Sequence, residues 1–170
     1  MKGLTLIEVL VTMLIFSIIS LAILLSMTVA QRSFFMGDTE TELREGLTRA
    51  ISTIDKDLSQ TRSTKINLNL GATSNTISFP IPADLNGDGT VIDAMGAVEW
   101  STNITYSRNA ANQLIRTFGG VNKIIATNII SLQFKRTQDK IIQVDITARK
   151  TATLGRQITD TEQLIVKMRN

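Results

Sequence analysis

The sequence predicts an α+β chain, a long N-terminal helix packed on a C-terminal antiparallel β-sheet. Three observations predict it. No residue from Val9 to Ala30 is charged, apolar residues then recur at helical spacing as far as Leu58, and beyond Thr61 the apolar period shortens to two.

The uncharged run is broken only by Thr and Ser. At about 1.5 Å per residue it spans roughly 33 Å as a helix, the thickness of a bilayer's hydrocarbon core. Residues 4–30 are therefore read as a membrane span. Lys2 before the span favours a cytoplasmic start and an exported C-terminal part. Over residues 31–60, Leu43, Leu47, Ile51, Ile54 and Leu58 fall at steps of three and four, one stripe of an amphipathic helix. Glu42, Arg44, Glu45, Arg49, Asp55, Lys56 and Asp57 lie between them and read as the solvated face. No proline precedes Pro80, so one helix from about residue 4 to about residue 59 is allowed. The weak point is Met36-Gly37-Asp38, where Gly37 lowers helix propensity and Asp38 is a good cap for a new start.

Residues 61–170 read as an exported β-rich region. Alternation predicts strands over 66–70, 76–79, 104–106, 113–118, 130–134, 142–148 and 162–168. Ile142, Val144, Ile146 and Ala148 share one face, with Gln143, Asp145 and Thr147 opposite, as in an antiparallel sheet with one wet side. Gly71–Asn75, Asn109–Asn112 and Gly119-Gly120 supply turns. The stripe on the helix needs an apolar partner, and the apolar face of the sheet provides it.

Of the 170 residues, 43% are hydrophobic and none is His or Cys. That excludes Cys/His nucleophile–base pairs, Cys/His zinc sites and disulfides, and no GxSxG is present. These absences speak against most familiar enzyme classes, and the expectation is a protein that is not an enzyme and has no small-molecule substrate. A net charge of +3 is too weak to argue for nucleic acid. Arg116, Lys123, Lys135, Arg136, Lys140, Arg149, Lys150 and Arg156 would form a basic face, for which the solvated side of a sheet is the simpler reading.

The functional signal lies in the opening, Met1-Lys2-Gly3-Leu4-Thr5-Leu6-Ile7-Glu8. A carboxylate that stays charged and unpaired at depth in a bilayer costs on the order of a few kcal/mol. A conventional signal peptide carries positive charge here instead. Something must compensate for Glu8. This opening, with the uninterrupted span after it, resembles the class III signal of type IV prepilins and type II secretion pseudopilins. The resemblance covers about thirty residues. It implies a leader of residues 1–3, cleavage by a prepilin peptidase between Gly3 and Leu4, and N-methylation on Leu4. It also implies a pilin-like fold, and a Glu8 that pairs with the N-terminal amine of a neighbouring subunit during filament assembly. The new ammonium would stand four residues before Glu8, on the same helical face. Implied partners are other pilins or pseudopilins through the N-terminal helix, the prepilin peptidase and the assembly platform in the membrane. The implied location is the inner membrane, single-pass, with the C-terminal part in the periplasm or outside, and then a filament.

Departures from the major pilins are Leu4 in place of Phe, Ser17 in place of Gly, Leu25 in place of a kinking Pro, and the missing cysteine pair. The span and the ending Ile165–Asn170 are more similar to minor pilins and minor pseudopilins of the J or W type, which initiate or cap a filament. Two alternatives stand beside this one. An exported soluble β-rich domain would follow a conventional signal peptide cut after Thr28-Val29-Ala30, and a pilus adhesin or DNA-uptake subunit would use the basic face.

No cofactor is required, but one loop fits calcium. Asp84-Leu85-Asn86-Gly87-Asp88-Gly89-Thr90 reproduces the first half of an EF-hand-like loop, with oxygens from Asp84, Asn86, Asp88 and the Thr90 carbonyl. The twelfth position is Met95, so Asp93 or Glu99 would have to complete the set. The alternative is a plain turn built on Asn-Gly and Asp-Gly.

Overall fold

In a computed structural model, which describes residues 5–152 and 155–169, one α-helix, one turn of 3-10 helix (Ser63–Lys65) and eight strands follow in chain order. Helix α1 (Leu6–Leu58) runs 53 residues without a break, about 80 Å. It crosses Met36–Asp38 as regular helix. The Thr39 and Thr41 hydroxyls donate to the carbonyls of Phe35 and Gly37, both at 2.9 Å. One glycine costs only about 1 kcal/mol of propensity, whereas stopping and renucleating the helix would lose several backbone hydrogen bonds. The helix ends at Ser59, whose N–H still reaches the Asp55 carbonyl.

The β region contains two four-stranded antiparallel sheets, where the alternation predicts one. The strands are β1 (Thr73–Ser74), β2 (Ile77–Phe79), β3 (Ile104–Arg108), β4 (Leu114–Phe118), β5 (Val121–Ala126), β6 (Ile129–Gln138), β7 (Ile141–Thr151) and β8 (Gln157–Lys167). One sheet has the order β1-β6-β7-β8, the other β2-β3-β4-β5. The chain leaves the second sheet for the first between β5 and β6 at Asn128, whose φ of 64° turns the backbone sharply. In β7 the expected alternation holds, with Ile142, Val144, Ile146 and Ala148 buried.

The run Ile66–Leu70 alternates but forms no strand. The Asn67 side-chain oxygen accepts the Ser78 N–H at 2.8 Å, the Asn67 N–H donates to the Ser78 carbonyl at 3.2 Å, and the Leu68 carbonyl accepts Arg136 at 2.9 Å, so single bonds, partly from side chains, stand where a ladder would be. Strand β1 lies inside the segment read as a turn. Strand β5 does not show in the alternation, because Val121 and Ile124 are exposed.

The core forms where the second half of the helix meets both sheets. Leu43, Leu47, Ala50, Ile54 and Leu58 pack with Phe79, Tyr106, Leu114, Phe134, Val144 and Val166. Helix α1 lies against β5, β7 and β8. The salt bridges Glu42–Lys150 and Arg44–Asp160 join it to the sheet of β7 and β8.

Candidate functional site

The first half of α1 leaves its apolar surface bare. Leu6, Leu10, Leu14, Phe16, Ile18, Leu21, Leu24 and Met27 are each more than half exposed, and no part of its most apolar window is buried inside the molecule. Burying an aliphatic side chain is worth about 1.5–3 kcal/mol, so a surface of this extent requires lipid or other protein around it.

At the start of this surface stands Glu8. Thr5 is the N-cap in an extended conformation, and its N–H and hydroxyl both donate to Glu8 Oε2, at 2.9 and 3.0 Å. The carboxylate thus folds back over the first turn and satisfies a backbone donor that the helix leaves unpaired. Gly3 and Leu4, the residues of the expected processing site, lie outside the described residues.

The 84–99 loop is ordered by its own carboxylates. Asp84 accepts the N–H groups of Gly87 and Gly89 at 2.6 and 2.8 Å, and the two glycines take positive φ to make this possible. Asn86 accepts the Asp88 N–H at 2.9 Å, and Asp88 accepts the hydroxyl and N–H of Thr90, both at 2.8 Å. The Thr90 bonds, hydroxyl first, and Asn86 hold the Asp88 carboxyl below the ordinary aspartate range. Asp93 is turned into a separate tight turn, accepting the N–H groups of Met95 and Ala97. Glu99 instead reaches the start of the loop, where it accepts the Leu85 N–H at 2.7 Å. Among the described residues no three acidic side chains converge as a metal-holding group. Asp84, Asn86, Asp88 and Thr90 share one loop with Glu99 beside it, and their oxygens retain lone pairs beyond those used by the amides.

The eight basic residues do not make one face. Arg116 and Lys123 belong to one sheet, whereas Lys135, Arg136, Arg149 and Lys150 belong to the other. Arg116 pairs with Asp57, Arg136 with Asp139, and Lys150 with Glu42.

One polar cluster escapes a reading by composition. Asp57, expected on the solvated face, is 6% exposed. Its Oδ2 accepts the Tyr106 hydroxyl and Arg116 Nε, each at 2.6 Å. Burial first, and then the neighbouring Asp57 carboxylate, raise the Tyr106 hydroxyl far above the usual tyrosine range, so it remains a donor. Tyr106 also stacks on Phe79, centroids 6.2 Å apart. This triad ties the helix to β3 and β4. A signal was present, since residue 57 lies three past Ile54 on the buried stripe.

Residues 1–24 match the family model described as the prokaryotic N-terminal methylation motif. No curated protein matches the chain, and no solved structure does.

Proposed function

We propose that the chain, whose first 24 residues match the N-terminal methylation motif, is type IV pilin-like, a minor pilin or pseudopilin that serves as a structural subunit helping to initiate or cap a filament. The observation that carries this reading is the division of α1. One continuous helix presents a bare apolar half headed by a single carboxylate, and sinks its other half into a β-rich body. The motif and the apolar half are consistent with membrane anchoring.

On this reading a prepilin peptidase cleaves between Gly3 and Leu4, and Leu4 becomes the methylated terminus. The new ammonium competes with Thr5 for Glu8. When the helix enters a bundle of neighbours, Glu8 pairs with the ammonium of an adjacent subunit. In a low dielectric that pair is strongly directional, because separating it leaves two uncompensated charges. The protein acts by packing, as partner of other pilins and of the assembly platform, and not as an enzyme. Its β-rich part faces the periplasm or the exterior. Calcium is proposed as a ligand of Asp84, Asn86, Asp88 and Thr90, with Glu99 favoured over Asp93 to complete the shell by its contact at Leu85.

The test is mass spectrometry of the intact N-terminus from cells containing a prepilin peptidase, paired with the Glu8→Ala variant. The expected chain begins at N-methylated Leu4, and Glu8→Ala inserts in the membrane but is recovered with filaments much less often. A chain beginning at Gln31, or undiminished recovery of Glu8→Ala, refutes the reading.

A further inference from the structure

Just past the end of α1, at the pole opposite its apolar half, lies a pocket of about 290 Å³. Pro82, Ile92, Val98 and Trp100 line it, with Arg62 and Arg169 at its rim. Two isolated bridges, Pro82–Trp100 and Ile92–Val98, hold the lining, and a third joins Arg62 to Arg169 along the backbone. The Arg62 guanidinium and the Lys65 ammonium each lie 5.8 Å from the centroid of the Trp100 ring.

Three exposed cations therefore gather around one half-buried indole. Among the described residues, none of them has a carboxylate within ion-pair distance, although Arg44, Arg116, Arg136 and Lys150 all do. The acids of the adjoining loop face its own amides, Asp93 those of Met95 and Ala97 and Glu99 that of Leu85. The ring offsets some of the repulsion between like charges but cannot neutralise it. Val91 lines the pocket as well and is 41% exposed, and Met95 on the same loop is 95% exposed.

We propose that this pocket binds an acidic segment of another protein chain, one in which a carboxylate and an apolar side chain stand close together. The carboxylate meets Arg62, Lys65 and Arg169, and the apolar group enters between Trp100, Ile92 and Val98. The chemistry favours a peptide over a nucleic acid. The cavity takes one or two side chains and not a run of phosphates, and the face a base would stack on lies under two cations. The site is independent of processing at the N-terminus and stands whether or not the chain enters a filament.

Trp100 is the single tryptophan, so its emission reports on the pocket directly. The experiment titrates the full chain, in nonionic detergent, with a short peptide of alternating Glu and Leu and with its Lys-for-Glu counterpart. The expected result is a saturable emission change with the Glu peptide alone, weaker at high salt. Arg62→Gln with Lys65→Gln should weaken it at least about tenfold at an unchanged melting temperature. Should that pair melt early, Arg169→Gln serves as the second variant. Equal binding of the Lys peptide, undiminished binding by the variants, tighter binding of a single-stranded oligonucleotide, or an emission change produced by protein concentration alone overturns the proposal.

Discussion

The two halves of helix α1 share one backbone and one hydrogen-bond pattern but differ in what surrounds them. From Leu6 to Val29 the apolar side chains stand bare, whereas from Leu43 to Leu58 they are sealed against β5, β7 and β8. The difference lies in the amount of polarity and in its pattern: Val9–Ala30 carries no charge, whereas charges flank the stripe of the second half. A stripe at steps of three and four matches a partner within the same chain, while an apolar surface on all sides matches a lipid or a bundle of other helices. The second half is stabilised by its own fold. The first half has its partners outside the molecule.

Leucine-to-alanine changes break this contrast most directly. Leu47 is 1% exposed and Leu14 is 61% exposed. Leu47→Ala should cost about 2–5 kcal/mol in urea unfolding of the detergent-solubilised chain. Leu14→Ala should leave the same transition within about 0.5 kcal/mol. Equal losses would mean that the halves do not differ as described. A finer change is Tyr106→Phe, which removes the hydroxyl that Asp57 accepts and leaves the Arg116 pair in place. A loss of about 1–3 kcal/mol is expected, since the buried carboxylate loses one of its donors. An unchanged transition would show that the Arg116 pair alone satisfies the buried Asp57 carboxylate.

The smallest effect belongs to the 84–99 loop, which is exposed like the first half of the helix but satisfied by its own amides like the second. Calcium at tenfold excess over its Kd should add about 1.4 kcal/mol, read as a rise in melting temperature. Asp84→Ala with Asp88→Ala should abolish the rise. No rise with the unmodified chain at millimolar calcium would leave a self-sufficient turn.

The helix was legible because its evidence is local. Polarity, spacing and the absence of proline before Pro80 all lie within one segment, and they place its ends within about two residues of Leu6 and Leu58. The split into two sheets was not legible, because it depends on which strands pair and on a backbone turn at Asn128 that strand periodicity does not encode. Asp57 reads as solvated for the same reason. Its partners lie 49 and 59 residues away, and only the fold brings them within reach. At the N-terminus the balance reverses. Gly3 and Leu4 are legible only as a motif, and Glu8 was legible as a charge where a charge is costly.

The unbroken passage through Gly37 has a consequence for orientation. A helix advances about 100° and 1.5 Å per residue, so the number of residues between Glu8 and Asp57 fixes the azimuth of the β-rich body about the axis, as well as its height. One residue inserted near Gly37 would swing that body through roughly a quarter turn relative to Glu8, while seven would return it to within about 20°. The direction in which the Trp100 pocket faces around the axis is therefore written in a residue count.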